Sequence, residues 1–209
     1  IGRLGSFIPA RARRTAFEWQ GKSVFVSQGG VDGDEFTELF NSTDRGEWNF
    51  KCVSCNQRQP FEWVQIKYPD AAKTPTGWDL DMVRANTTYE CKFCKHQHLD
   101  RNSVRAEMVR DPEYVPMNPS APKDRKGFHF NALSMLWGLS WGDLAVECIE
   151  AAQSFDSGGD ESKRRDFKMK RLALPWSDEP DDGGGEVLPS GYLMGEQWLD
   201  EAANINGKV

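Results

Sequence analysis

Runs of apolar residues along the chain switch between a strand-like and a helical rhythm. Lys22–Ser27 sets Val24, Phe25 and Val26 side by side, a β-branched and aromatic run that predicts a short buried strand stopped by Gln28, Gly29 and Gly30. Phe36, Leu39 and Phe40 then recur at i, i+3 and i+4 behind Asp34 and Glu35, which predicts a helix with an acidic start. Strand, Gly-rich turn and helix make half an α/β unit. Short aromatic strands are expected at Glu47–Lys51, Phe61–Ile66 and Thr87–Glu90, with a loop over Pro69–Thr76. Arg101–Arg110 reads as a helix with Val104, Met108 and Val109 on one side, and 111–126 as a Pro-rich connector.

Gly127–Leu133 reads as a strand that returns to the α/β layer, because its Phe-rich run is too apolar to stand outside one. Alternation puts His129 opposite Phe128 and Phe130, as a hydrogen-bonded structural histidine. Ser140 to Asp143 caps a helix reaching about Phe155, with Leu144, Cys148, Ala151 and Ala152 in helical period. Cys148 is thus a core residue. A second helix is expected from Asp160 to Leu172, closed by Pro175, and Asp178–Gly191 reads as an acidic, Gly-rich flexible linker.

Charge and length narrow the classes. The 209 residues carry a formal net charge of −6, which argues against a basic nucleic-acid binder as a whole and leaves only local basic patches. No apolar run approaches the ~20 residues of a membrane span. The start lacks both an initiator Met and a signal-peptide core, and both ends are read as cuts through a longer protein.

Five cysteines change the picture most. Cys52 and Cys55, and Cys91 and Cys94, form two Cys-x2-Cys pairs. An odd count without a signal peptide argues against a disulfide framework and suits a metal. Each pair fits a tight turn that aims two sulfurs at one ion, and two such turns complete a tetrathiolate that Zn2+ tolerates with no open position. The competing reading is four buried or disulfide-bonded cysteines. Asn56 and Lys95 follow the second cysteine of each pair and depart from the pattern, because Gly is favoured there for a left-handed turn; Asn tolerates that conformation and Lys less so. His96 and His98 lie close enough to replace a ligand, but four thiolates already fill the shell and both are read as surface residues. Trp48, Trp63 and Trp78 are read as cover for a small core, with base stacking as the alternative.

The order of these features resembles the large subunit of tailed-phage terminases of the GpA type, found in lambda-like phages. Val24 to Gly30 is similar to the strand and coupling motif that follows the Walker B strand. Glu47 to Trp63 and Tyr89 to Cys94 are similar to the two zinc knuckles. Gly127–Leu133, Trp137, Ser140-Trp141 and Lys170–Trp176 resemble the close of the motor region. The coupling motif of the family usually reads Ser-Thr-Pro, where this chain has Ser27-Gln28-Gly29.

The resemblance implies an α/β protein: a partial P-loop-type ATPase remnant with an inserted four-cysteine zinc ribbon, followed by a strand and two helices. Its parts are 1–46 (end of the motor core), 47–110 (zinc ribbon), 111–178 (close of the motor domain) and 179–209 (linker toward a nuclease). It implies that the whole protein is an ATP-driven DNA-packaging motor and endonuclease using ATP and Mg2+, besides a structural Zn2+. The partners implied are double-stranded viral DNA, the terminase small subunit, the portal and procapsid, and further copies of itself, in the host cytoplasm and without a membrane. Ser27 and Gln28 fall at the coupling motif, where a hydroxyl or amide hydrogen-bonds phosphate or orients water. The phosphate-binding loop and its carboxylates are expected upstream of Ile1 and the nuclease carboxylates beyond Gly191, so this stretch alone should be inactive. Arg11, Arg13 and Arg14, and Arg164, Lys168 and Arg171 at i, i+4 and i+7, are candidate phosphate contacts or solvated faces. A stand-alone zinc-ribbon module that binds nucleic acid or protein, without catalysis, is the other reading.

Overall fold

The computed structural model describes residues 21–158 and 161–177. Helix α1 (Glu35–Asn41) begins as expected, because Asp34 accepts from the Thr37 amide at 2.7 Å and the Val31 amide at 3.0 Å. The strand expected before it does not form. Val24 and Val26 are 83% and 90% exposed, and no ladder runs along 22–27 among the described residues. A β-branched run only offers a strand; pairing and burial make one. The chain is fixed further on. The Gly29 amide donates to the Met169 carbonyl at 2.9 Å, and the Trp176 amide to the Gly30 carbonyl at 2.8 Å. A Cβ on Gly29 would sit 2.1 Å from the Leu174 carbonyl oxygen, so only glycine allows this approach.

Strand β1 (Gly46–Lys51) organises the largest sheet. It pairs antiparallel with β2 (Arg58–Pro60), registering Lys51 with Arg58. Downstream lie β3 (Ile66–Lys67) and the small hairpin of β4 (Lys73–Thr74) and β5 (Gly77–Trp78). Between β2 and β3 the expected strand 61–66 is interrupted by a 3-10 turn, Trp63–Gln65. Helix α2 (Leu80–Asn86), unforeseen in the sequence, is capped by Asp79, which accepts from the Met82 amide. Strands β6 (Thr88–Glu90) and β7 (Gln97–Leu99) form a second hairpin, and β3 lies beside β6.

Helix α3 (Asn102–Met108) follows with Met108 buried, as expected. The supposed connector contains β8 (Glu113–Pro116), which pairs antiparallel with β1. Proline is tolerated there because β8 is an edge strand and Pro116 ends it. Strand β9 is only Phe128–His129 and lies parallel to β1. It therefore joins the sheet of β1, not the segment 22–27, and Phe128 and Phe130 are exposed instead of buried. Asn131 turns the chain into a 3-10 segment (Ala132–Ser134) by accepting from the Leu133 amide and donating to the Phe61 carbonyl.

Helix α4 (Trp141–Asp156) starts with a full capping box between Ser140 and Asp143. It packs so close to α2 that a Cβ on Gly142 would lie 2.2 Å from the Arg84 carbonyl oxygen. Helix α5 (Ser162–Asp166) continues into a π-helical turn, Phe167–Arg171. The core is shared. Phe50 of β1 stacks on Phe61 at 4.2 Å, Phe61 meets Tyr89 of β6 at 5.1 Å, and Tyr89 meets Trp141 of α4 at 5.5 Å. Trp48, Trp63 and Trp78 pack against it as cover, and Cys148 is buried within it. Buried Arg105 ties the loop before α4 to α3, donating to the Leu139 carbonyl at 2.9 Å and to that of Met135.

Candidate metal centre

The two long hairpins carry the four cysteines at their tips. β1 ends at Lys51 and β6 at Glu90, so Cys52 and Cys91 each begin a turn directly after a strand. The turns have the same hydrogen bonds. The Asn56 amide reaches the Cys52 carbonyl at 2.9 Å, and the Lys95 amide the Cys91 carbonyl at 3.0 Å. The Cys52 amide reaches the Gln57 carbonyl, and the Cys91 amide that of His96. Asn56 and Lys95 close the turns with φ of 59° and 60°, the left-handed conformation their position called for.

The sulfurs converge. Cys52 and Cys94 Sγ are 3.8 Å apart, as are Cys55 and Cys91 Sγ, and all four lie within 4.8 Å of one another. A zinc–sulfur bond of about 2.3 Å gives a tetrahedral edge of roughly 3.8 Å, so the donor set fits a four-coordinate soft cation. These separations are too long for disulfides, and all four are free thiols.

The thiols are electrostatically unequal. Burial pushes Cys52 up to about 12. Burial also opposes ionisation of Cys91, but the backbone amides of Cys94 and Phe93 and the side-chain amide of Gln59 outweigh it and bring it down to about 6. The amide donors around Cys91 thus act in the direction of its thiolate, the form a cation binds.

A buried polar network supports the centre. Gln59 Nε2 donates to Cys91 Sγ at 3.0 Å. Gln59 Oε1 accepts from Gln65 Nε2 at 3.1 Å and the Lys92 amide at 3.0 Å. Gln65 Nε2 also donates to the Glu90 carbonyl, and the Tyr89 hydroxyl donates to Gln65 Oε1. His98 corrects the sequence reading. It is buried, with Nε2 at 3.4 Å from Cys52 Sγ, while His96 is exposed at its edge as expected. Burial brings His98 down to about 4, with neighbouring His96 adding to the effect. Gln59 was not singled out in the sequence either; the signal for both residues is their equal distance from the first cysteine of each turn.

The remaining candidates lie elsewhere. Ser27 and Gln28 are exposed, just before the anchored Gly29, and are not at the end of a strand. Arg164 lies over the Phe155 ring at 4.5 Å, Lys168 over the Trp176 ring at 5.6 Å, and Arg171 holds Glu147 at 2.9 Å. All three are half-buried, so they do not form an open basic stripe. Arg11, Arg13 and Arg14, and the linker from 179 onward, fall outside the described residues.

Comparison with known proteins gives one family. The model for the ATPase domain of the phage terminase large subunit gpA matches residues 6–112, half of the chain, and includes all four cysteines. No curated protein and no solved structure matches the chain. The match takes in Val24 to Gly30 and both cysteine turns, while the resembling stretches from Gly127 onward lie beyond it, and the chain belongs to the phage terminase large subunit gpA ATPase-domain family.

Proposed function

We propose that the chain is part of a terminase large subunit, an ATP-driven motor and endonuclease that packages and cuts concatemeric viral DNA, and that residues 47–110 form a zinc ribbon within it. The observation that carries the metal reading is the convergence of four free thiols at tetrahedral separations. With all four positions taken by cysteine there is no site for water or substrate, so the role is structural. A bound zinc ion supplies the positive charge that keeps four thiolates together. The chain's part is to hold Cys52 and Cys91 at the ends of β1 and β6 and to lock the aromatic residues two positions before them, Phe50 and Tyr89, into one core.

ATP and Mg2+ belong to this reading of the whole protein. Ser27 and Gln28 are proposed as the coupling motif, and what supports this is their accessibility on a segment pinned to the 169–176 turn. DNA is the proposed substrate, with the small subunit, portal and further copies as partners. No helix among the described residues is long and apolar enough to cross a membrane. Arg164, Lys168 and Arg171 are proposed as DNA contacts of secondary weight, because their cations already meet Phe155, Trp176 and Glu147. A second reading, a ribbon that binds nucleic acid or protein by its tips, is favoured by exposed Phe93 with the Lys92 ammonium 5.7 Å from its ring.

Elemental analysis of purified, unchelated protein tests the metal reading. One zinc per chain is expected, lost in the Cys52→Ser, Cys91→Ser variant. Metal-free wild-type protein with a full near-UV aromatic spectrum would overturn it. DNA titration at two salt concentrations tests the nucleic-acid reading. Binding is expected to be weak, on the order of 10−4–10−6 M, with a shallow salt slope.

A further inference from the structure

The two cysteine hairpins repeat one another beyond the cysteines. Gln59 lies seven residues after Cys52, and His98 seven residues after Cys91. Each stands in the middle of its return strand, β2 or β7. Each reaches over to the other hairpin: Gln59 Nε2 to Cys91 Sγ at 3.0 Å, and His98 Nε2 to Cys52 Sγ at 3.4 Å. Both side chains are sealed from water, at 0% and 1% exposure.

The donor roles follow from the surroundings. Gln59 Oε1 is occupied by two N–H donors, from Gln65 and Lys92, so its amide nitrogen must face the sulfur. His98 Nδ1 is buried and has no hydrogen-bond partner among the described residues. A proton there would be stranded without an acceptor, whereas a proton on Nε2 faces the Cys52 sulfur. The ring proton therefore sits on Nε2, toward Cys52.

We propose that Gln59 and His98 are a reciprocal pair of positioning residues, each donating an N–H to the buried first thiolate of the opposite hairpin, and that together they set how tightly the centre keeps its metal. The proposal rests on the zinc reading above. Four thiolates around a dication leave a net negative charge, and charge taken from water needs oriented donors. The demand is greatest at Cys52 and Cys91, which are buried, whereas Cys94 is exposed and can use water. Crossing the donors also interlocks the hairpins, since neither thiolate is fully served by its own turn.

The test compares zinc content and the rate of zinc transfer to a colorimetric chelator in wild type, His98→Leu, Gln59→Leu and His98→Gln. One zinc per chain is expected in wild type. Transfer should be roughly 10-fold faster or more in the two leucine variants, the usual range for loss of a donor to a metal ligand. His98→Gln should stay close to wild type, because glutamine makes the equivalent bond from the other hairpin. Zinc-free wild type would overturn the zinc reading and this proposal with it. Zinc-loaded wild type whose leucine variants transfer zinc at the wild-type rate would overturn the donor pair alone. If the leucine variants do not fold, cadmium-loaded wild type decides. Proton–cadmium correlations to the side-chain N–H groups of Gln59 and His98 are expected through the N–H···S bonds, and their absence overturns the proposal.

Discussion

His129 Nδ1 lies 2.7 Å from Glu47 Oε2, and on the other side of the ring Nε2 lies 3.1 Å from the Leu172 carbonyl oxygen. Both neighbours are acceptors, so only the doubly protonated ring donates to both. Burial works against the charge on His129, but the hydrogen bond and charge of Glu47 outweigh it, helped by the carbonyls at Leu172 and Ala173, and its pKa is raised. A raised folded value means that the stabilisation is fully present below the unfolded value near 6.5 and is lost as pH rises through the folded value. Urea midpoints measured from about pH 6 to about pH 9 should therefore fall with pH in wild type. His129→Gln should flatten that part of the slope. An unchanged slope in the variant would remove His129 from the account.

Removing the metal should loosen the aromatic core before it affects α4. Phe50 and Tyr89 meet edge to face at 5.5 Å, two residues before Cys52 and Cys91, so their contact depends on the hairpin tips staying together. A strong chelator should reduce the near-UV circular dichroism and lower Tm while much of the far-UV helix signal remains. Retention of the near-UV signal after zinc has left would show that packing alone holds the hairpins.

Gly142→Ala should be costly although alanine is the better helix former. The new methyl would meet backbone, the Arg84 carbonyl at 2.2 Å, where no side chain can swing aside. Denaturant unfolding should register a loss of about 1–3 kcal/mol, the range for overpacking.

Lys95→Gly should do the opposite. Lys95 holds φ at 60°, a conformation that costs an L-residue about 1–2 kcal/mol and glycine almost nothing. The ion pair lost, with half-buried Glu90 at 3.5 Å, has its lysine end largely in solvent and contributes little. After the entropy of a more flexible unfolded chain is subtracted, a gain of about 0.5–1 kcal/mol is expected in the same unfolding measurement. A lower midpoint would mean that the lysine ammonium does more at the turn than this geometry suggests.

What was legible in the sequence was local. The left-handed turns at Asn56 and Lys95 follow from the Cys-x2-Cys spacing, and the start of α4 follows from Ser140 and Asp143, which satisfy each other within one turn. What was not legible depended on partners distant in the chain. The run 22–27 has strand composition but finds no neighbour, whereas the Pro-containing 113–116 becomes a strand because β1 lies beside it. His98 shows the same limit at one residue. In β7 the alternation would put Leu99 inside, yet Leu99 is exposed and His98 buried, because the inner face of this hairpin ends at sulfur. The four cysteines themselves were readable; the donors around them were not, since polar residues in a strand are ordinarily its outer face.

The placement of β1 has a consequence for the nascent chain. One side of this strand is completed only when Phe128 and His129 arrive, the histidine being 82 residues after its partner Glu47. At about 5–20 residues per second, synthesis leaves that edge waiting for roughly 4–16 s. All four cysteines precede that point, so on the ribosome the hairpin tips can come together well before the sheet they extend is closed. During that interval the open part of β1 is a template for pairing with another chain.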